Sequence, residues 1–258
     1  MKVVNVDIPQ DHGYLIPVGD LHRGDVHLSS RGLAKLKGYL DWVLERPNAF
    51  IFLMGDILNV ASRSSKTNPF ESLSGNDEYQ RSVDLFKPYT KHIVGCITGN
   101  HCQRMFKEFG FNPLQPFCNE LGIPYCGYTA CLRIRVGKRP GKVARYRQMY
   151  WGFAHHGVGG GGTLGAALNR KVKLQEIVHG MDFYMAGHDH QLIAGTRNIL
   201  LPKQLNIGHQ RIHYIDTGSF LDWNGSYAEE AAMPIGKQGA PRLRFDGRDK
   251  HHDLHVSI

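Results

Sequence analysis

Apolar and polar residues along the first half of the chain are spaced as in strands joined by helices. Apolar runs at residues 15–18, 50–54 and 92–97 predict buried strands, each followed by a polar cluster. Apolar residues also recur at helical spacing in three segments: Leu33, Leu36, Leu40, Val43 and Leu44; Tyr79, Val83 and Phe86; and Leu114, Phe117, Cys118 and Leu121. A proline or glycine follows each segment and marks its end. This order predicts a largely parallel sheet with helical crossovers.

The second half of the chain is richer in strand patterns. Leu132, Ile134 and Val136 alternate with Arg133 and Arg135, which predicts a strand with one apolar and one basic face. A turn-like stretch and a second apolar segment after it predict a hairpin. The turn of this hairpin is predicted at 137–142 and its second strand at about 143–153. Further along the chain, the pattern predicts a helix over 163–179 and strands near 182–186, 211–215 and 243–245. Because no repeat or low-complexity tract interrupts these patterns, we expect one α/β domain over residues 1–258.

Composition places the chain among ordinary globular proteins. Hydrophobic residues make up 41% and charged residues 21%. The apolar runs are too short to span a bilayer, and the amino terminus lacks the long apolar stretch of a secretory signal, so we expect a cytoplasmic protein without membrane contact. The 5 cysteines include no Cys-x-x-Cys pair, which argues against both a disulfide framework and a thiolate zinc site.

The charge balance favours anionic partners. Lys and Arg total 31 against 23 acidic residues, which gives a formal net charge of +8 and a pI near 9.3. Long-range attraction then favours phosphates and nucleic acid, although a merely basic surface gives the same number. Part of the charge is concentrated in one patch, made of Arg133, Arg135, Arg139, Lys142, Arg145 and Arg147.

Five polar clusters follow apolar runs, where α/β sheets commonly bind ligands. They are Asp20-Leu21-His22, Gly55-Asp56-Ile57-Leu58-Asn59, Gly99-Asn100-His101, His155-His156-Gly157 and Gly187-His188-Asp189-His190. Taken singly, each has an ordinary interpretation as a turn, a surface loop or a hydrogen-bonded histidine pair. Together they supply imidazole, carboxylate and amide groups, a mixture that suits manganese, iron, zinc or nickel. Two neighbouring divalent ions can clamp a phosphate and lower the pKa of a water held between them.

In this order the clusters resemble the calcineurin-like metallophosphoesterase superfamily, whose pattern is D-x-H, G-D-x-x-[DN], G-N-H-[DE], a later His and G-H-x-H. The resemblance covers roughly residues 14–220. It implies a four-layer α/β sandwich of two mixed β-sheets flanked by helices, with the metal site at the carboxyl ends of strands. It also implies two divalent ions, with manganese as the first choice. The implied ligands are Asp20, His22 and His190 for one ion, Asn100, His156 and His188 for the other, and Asp56 between both.

Some positions in these motifs remain open or depart from the family. Gly157 directly after His156 favours His156 over His155 as the ligand, because the family usually places Gly there. Asn59 ends the second motif, and we expect a supporting hydrogen bond from it. Cys102 stands where the family has an acid, so acidic support for that loop is either missing or supplied elsewhere.

Two further features of the motifs bear on the substrate. Arg104 resembles an arginine that follows the third motif in several members and could bind a phosphate oxygen; a surface arginine is the alternative. The glycines at 159–162 could let backbone amides approach a phosphate, or could simply connect to the next helix. This glycine-rich form of the fourth motif is similar to one found in phage and prophage members.

The resemblance implies hydrolysis of a phosphoester by a metal-activated hydroxide. His101 would protonate the leaving oxygen, and Asn100 would bind metal and orient the phosphate. The basic residues favour a phosphodiesterase with DNA or RNA as the candidate substrate. Arg104 instead favours a phosphomonoesterase or protein phosphatase. A non-catalytic metal-binding scaffold and a simple nucleic-acid-binding protein are alternatives of other classes, and no obligate protein partner is inferred.

Overall fold

The computed structural model describes residues 1–63, 65, 68–70, 72–138, 146–159, 163–203, 206–230, 232–248 and 252–258. The strands in these ranges are β1 (Lys2–Ile8), β2 (His12–Val18), β3 (Ala49–Leu53), β4 (Ile93–Cys96), β5 (Thr129–Lys138), β6 (Tyr146–His155), β7 (Phe183–Ala186), β8 (Leu192–Lys203), β9 (Asn206–Thr217), β10 (Arg242–Asp246) and β11 (Leu254–Ser257). The helices are α1 (Ser30–Leu44), α2 (Gly75–Phe86), α3 (Asn100–Phe109), α4 (Leu114–Leu121), α5 (Leu164–Lys173) and the short α6 (Tyr227–Glu230). Two 3-10 turns, Lys87–His92 and Leu174–Glu176, extend α2 and α5.

Within the described residues the strands form two mixed sheets. The larger has the order β1-β5-β6-β7-β9-β8, and the smaller has the order β11-β10-β2-β3-β4. Strands β2, β3 and β4 run parallel to one another, as do β6, β7 and β9. The hairpins β5–β6 and β8–β9 and the strands β10 and β11 supply the antiparallel pairs.

Three apolar cores hold four layers together. The central core lies between the two sheets and includes Leu15, Phe52, Ile134 and Phe245. Residues of α1, α2 and α4 cover the outer face of the smaller sheet, and residues of α5 and its 3-10 turn cover the larger sheet. The predicted sandwich of two mixed sheets flanked by helices is thereby confirmed. The single domain over residues 1–258 stays a prediction.

Local sequence explains where the helices begin and end. Ser29 and Ser74 accept backbone hydrogen bonds at the first turns of α1 and α2, as N-cap residues do. Gly110 and Gly122 follow α3 and α4 with φ of 68° and 64°, left-handed values that glycine adopts without steric cost. The helix predicted over residues 163–179 is shorter than expected, because α5 ends at Lys173 and continues only as a 3-10 turn.

Five elements have no counterpart in the sequence predictions: β1, α3, β8, α6 and β11. The apolar residues of α3 do not mark a buried face, since Phe106 and Phe109 are exposed and Cys102 is its buried residue. The turn predicted at 137–142 and the start of the strand after it fall largely outside the described residues. No helix in the described part of the chain has the length and apolar character needed to cross a bilayer.

Candidate metal centre

The loops after five strands carry the predicted ligands to one place. Parallel strands end at the same edge of their sheet, so β2, β3 and β4 deliver three loops together, and β6 and β7 deliver two more. The structure brings together every predicted ligand, and the groups that could hold metal are Asp20, His22 and His190; His22, Asp56 and His101; and Asp56, His156 and His188. Asn100 joins the last group through its amide oxygen.

The backbone at these positions is unusual. Five of the predicted ligands have left-handed φ angles between 46° and 73°: Asp20, His22, Asp56, His188 and His190. Non-glycine residues adopt this region uncommonly, and such conformations cluster at functional sites when surrounding contacts enforce them. The short loops therefore direct these side chains towards the centre, and they do so with a strained backbone.

Two glycines allow the loops to approach this closely. A Cβ on Gly99 would lie 2.0 Å from Oδ1 of Asp56, and one on Gly187 would lie 2.4 Å from Oδ2 of Asp20. Both distances are well inside van der Waals contact, so a larger residue would push a ligand carboxylate aside. The glycines that precede Asn100 and His188 in their motifs are therefore explained by packing against the acids of other loops.

On one side of the centre, the carboxylate of Asp20 faces three imidazoles. Its Oδ1 atom lies 3.4 Å from Nε2 of His190, 3.8 Å from Nε2 of His156 and 3.9 Å from Nε2 of His22. These distances exceed those of well-formed hydrogen bonds, although Asp20 is fully buried. Oδ2 of Asp20 accepts the backbone N–H of His188 at 2.8 Å, which ties the first motif to the last.

On the other side, His156 lies between an acid and an amide. Its Nε2 atom is 3.1 Å from Oδ2 of Asp56 and 2.9 Å from Oδ1 of Asn100. The same Asn100 oxygen lies 2.9 Å from Nδ1 of His188. The other ring nitrogen of His156, Nδ1, bonds the carbonyl of Met54 at 2.8 Å, which fixes the ring and leaves Nε2 towards the centre.

The electrostatics of the centre call for positive charge. Burial alone would raise the pKa of Asp20, but His156 and His190 lower it to about 2. Burial also opposes charge on His156, yet Asp56 and Asp20 outweigh it and raise the pKa of His156 to about 10. Two buried carboxylates thus demand compensation, which protons on imidazole supply when no cation is present.

These residues fit divalent cations. Nε2 of His22 and Nε2 of His190 lie 3.2 Å apart and face Oδ1 of Asp20, a buried oxygen that forms no well-formed hydrogen bond within the described part of the chain. A cation among these atoms satisfies all three at once, and the mixture of nitrogen and oxygen donors is one that divalent transition metals accept. Asp56 belongs to two of the three groups, one with His22 and His101 and one with His156 and His188.

His101 and Arg104, both on α3, lie next to the predicted ligands. Nε2 of His101 is 3.9 Å from Oδ2 of Asp56, while its backbone N–H donates to Oδ1 of that residue at 3.0 Å. Nδ1 of His101 contacts the carbonyl oxygen of Asn59. Arg104 donates to the carbonyl of Val60 at 3.2 Å and lies within 3.2 Å of the His101 ring. Asn59 therefore supports His101 with its backbone, whereas its side chain donates to Ser72.

The open positions of the motifs have distinct locations. His155 uses Nδ1 to accept the backbone N–H of Gly157 and belongs to none of the ligand groups formed by the described residues. Cys102 is fully buried, and its pKa is raised by burial and then by the charges of Asp56 and Glu78. Glu78, which sequence reasoning missed, is thus a second acid, besides Asp56, whose charge acts on Cys102. Of the glycines at 159–162, those at 160–162 lie outside the described residues.

A buried ion cluster behind the last motif was also missed. Lys171 of α5 is 1% exposed, and its ammonium contacts the carboxylates of Asp189 and, at 2.5 Å, Asp216. Arg170 pairs with the same Asp189, which lies between His188 and His190 in sequence. Asp189 was visible in its motif, but its partners become evident only from the packing of α5 on the larger sheet.

The predicted basic patch is partly neutralised. Arg135 forms a bidentate pair with Asp7 at 2.6 and 2.5 Å, and Arg147 pairs with Asp11 at 2.9 Å. Arg133 lies over the ring of Trp151. The other members, Arg139, Lys142 and Arg145, lie outside the described residues.

Comparison with known proteins gives one family and several solved structures. The family described as calcineurin-like phosphoesterase matches residues 18–192. Wild-type Vps29 complexed with zinc, from Entamoeba histolytica, is similar at 14% identity over 95% of this chain and 98% of that chain, with a TM-score of 0.39. A metallophosphoesterase from Sphaerobacter thermophilus is similar at 12% identity over 95% and 88%, with a TM-score of 0.41. The calcineurin-like phosphoesterase YfkN from Bacillus subtilis is similar at 11% identity over 97% and 91%, with a TM-score of 0.40. No curated protein matches the chain.

Replacing Asp56 with alanine tests the shared ligand. Because Asp56 belongs to two of the ligand groups, we expect Asp56→Ala to lose at least one equivalent of bound manganese. Elemental analysis of manganese-loaded, desalted protein measures this directly. Glu45→Ala, which removes an exposed carboxylate from the end of α1, serves as the control and should keep its metal. Equal metal content in the two variants would contradict the role of Asp56.

Proposed function

The chain belongs to the calcineurin-like phosphoesterase family, and from that premise we propose that it is a phosphodiesterase with two divalent metal ions that acts on nucleic acid. Membership confirms the resemblance seen in the sequence and makes the chain a metal-dependent phosphoric ester hydrolase. The observation that carries the proposal is the position of Asp56, which is common to the groups around His22 and His156. A carboxylate between two sets of nitrogen and oxygen donors is suited to hold two ions.

In this proposal each ion has its own ligands. Asp20, His22 and His190 hold one, and Asn100, His156 and His188 hold the other, with Asp56 shared. Manganese suits these donors, as do iron, zinc and nickel. When bound, two such ions neutralise charge on phosphoryl oxygens and lower the pKa of a water to supply the nucleophile.

The chain's own residues then orient the ester and handle the proton. Asn100 fixes its amide oxygen between two imidazoles, which directs its nitrogen towards the substrate side. His101 keeps one proton at Nδ1 on the carbonyl of Asn59, so the second proton of the imidazolium form would be carried at Nε2 and given from there to the leaving oxygen. Arg104 lies beside this ring and is placed to bind a phosphoryl oxygen.

Nucleic acid as substrate draws support from charges near the centre. Arg23 directly follows His22 and lines a cleft of about 480 Å³ together with Lys37 and Arg81. Among the described residues, these three cations form no ion pair. Two acids, Asp41 and Asp84, line the same cleft, so the three cations leave it with a net positive charge. A cleft that includes the residue directly after His22 and has three cations against two acids suits the phosphates that flank a scissile bond.

A phosphomonoesterase is the second candidate, and Arg104 favours it. Its guanidinium is half-buried, and burial lowers its pKa, so an anion that pairs with it would be recognised at close range. A terminal phosphate carries more negative charge than a phosphodiester, so it would pair more strongly with Arg104. The two candidates differ in substrate and not in the proposed ligands.

Hydrolysis of two model esters separates the candidates. Metal-stripped protein should cleave neither bis(p-nitrophenyl) phosphate nor p-nitrophenyl phosphate, and manganese should restore cleavage of the diester with little of the monoester. Release of p-nitrophenolate is the measurement. A preference for the monoester would move the function to a phosphatase. Tight metal binding without cleavage of either ester would favour the non-catalytic scaffold.

His101→Ala tests the proton donor. We expect metal content to be unchanged and turnover to fall by about a hundredfold or more with a poor leaving group, because general-acid catalysis contributes on that order. With p-nitrophenolate, which leaves without a proton, the loss should be much smaller. Rates for phenyl and p-nitrophenyl diesters measure the contrast. Equal losses on both esters would remove His101 from this role.

Lys37→Ala tests the cleft as a nucleic-acid surface. With metal chelated, we expect weaker binding of a labelled single-stranded oligonucleotide and a slope of log affinity against log salt that is shallower by about 0.7 for a lost phosphate contact. Fluorescence anisotropy across a salt series gives both quantities. Lys35→Ala is a matched control, since Lys35 is also exposed on α1 but does not line the cleft. Identical behaviour of the two variants would exclude the cleft.

A further inference from the structure

Glu78 is a buried acid that points at the loop behind the site. It lies on α2 and is 2% exposed. Its carboxylate accepts the backbone N–H of Val60 at 3.0 Å through Oε1 and 3.3 Å through Oε2, and it also receives a backbone hydrogen bond from Asn59. A Cβ on Gly24 would lie 2.3 Å from Oε2, so the absence of a side chain there makes room for the acid.

The residue that Glu78 holds is in a conformation it would not adopt freely. Val60 has a φ of 46°, and a β-branched residue is a genuine outlier in this left-handed region. Such a conformation persists only when surrounding contacts enforce it. Glu78 supplies one of those contacts through a charge-capable acceptor placed on the Val60 N–H.

The strained loop in turn sets the orientation of His101. The carbonyl of Asn59 accepts from Nδ1 of His101, and the carbonyl of Val60 accepts from Arg104 at 3.2 Å. The Asn59 carbonyl belongs to the same planar peptide unit as the Val60 N–H that Glu78 binds, and the Val60 carbonyl belongs to the next unit along the chain. A rotation of the Val60 backbone would therefore turn both acceptors away from α3.

Groups around Glu78 show that it faces this loop and not solvent. Burial, and to a smaller extent Asp25, raise the pKa of Glu78 to about 7, although the two backbone hydrogen bonds and Arg23 act in the opposite direction. After burial and the charge of Asp56, the charge of Glu78 also raises the pKa of the Cys102 thiol, which lies on the same helix as His101. An apolar residue of similar size would fill the same space but would leave the Val60 N–H without the acceptor that Glu78 provides.

We propose that Glu78 is a positioning residue, which holds Val60 in its left-handed conformation so that the Asn59 carbonyl fixes the tautomer and direction of the His101 ring. The inference rests on the proposed role of His101 as proton donor. The chain of contacts runs from the carboxylate to two amides, through one strained residue, to Nδ1 of the imidazole. Glu78 itself touches neither substrate nor metal.

Glu78→Gln is the first test. Glutamine keeps the volume but offers one oxygen and places an NH₂ against the second amide, so the loop loses an acceptor. In the manganese-loaded protein we expect kcat for a phenyl diester to fall by about tenfold or more, as for other supporting hydrogen bonds, with KM and metal content little changed. The loss with a p-nitrophenyl diester should be smaller. Glu45→Gln, an exposed counterpart, should match the wild type.

A spectroscopic readout makes the test independent of turnover. Imidazole ¹⁵N–¹H correlation spectra should show His101 protonated at Nδ1 in the wild type, with the signal assigned by its loss in His101→Gln. In Glu78→Gln we expect that signal to shift or to become a mixture of tautomers. An unchanged signal together with unchanged kcat would overturn the inference. Failure of the wild type to cleave any phosphoester would instead overturn the proposed function.

A double-mutant cycle with Val60→Gly separates positioning from packing. Glycine adopts positive φ without penalty, so the loop should need Glu78 less, and the loss caused by Glu78→Gln should shrink in the Val60→Gly background. If Glu78 acted only by filling space, the two losses would add. If Glu78→Gln alone fails to fold, the double variant still tests the inference, because Val60→Gly relieves the backbone strain.

Discussion

The rest of the site depends on two buried carboxylates, those of Asp20 and Asp56. Neither is exposed to solvent, and each disfavours charge on the other. Burying such groups costs several kcal/mol each unless they are paired, so their neighbours are predominantly imidazoles and backbone N–H groups. His156 lies 3.8 Å from one carboxylate and 3.1 Å from the other, and its pKa rises accordingly. The need for compensating positive charge follows from these two buried acids before any family is considered.

The backbone meets that need by departing from ordinary geometry. Strands that end at one edge would leave their side chains pointing in alternating directions, and left-handed residues immediately after the strands turn the ligands inwards. Gly99 and Gly187 then allow loops from different strands to touch the two acids. The sandwich provides rigid strand ends, and the strain is confined to a few positions beyond them.

The sequence was informative where function and local pattern coincide. The five clusters could be placed at strand ends because each follows an apolar run, and the strands β2, β3 and β4 and the helices α1, α2 and α4 show clear periodicity. Helix α3 could not be found, since it begins within a ligand motif and exposes its aromatic residues. The neutralisation of Arg135 by Asp7 depends on the pairing of β5 with β1, a strand that its mixed composition did not reveal. The supporting charges, Glu78 and Lys171, lie on helices far from the motifs in sequence, and only packing brings them to the site.

The two supporting charges, on Glu78 and Lys171, act in the same way, because each binds a loop of the site. Glu78 on α2 holds the loop beside His101, and Lys171 on α5 holds the aspartate between His188 and His190. A buried charge is weak evidence for stability, because an apolar group of the same size often serves as well. Both residues nevertheless lie where an apolar group would leave a strained loop without its anchor. The apolar cores account for the stability of the sandwich, and the buried charges in its outer helices account for the geometry of the centre. Substitutions in the two sets should therefore separate unfolding from loss of site geometry.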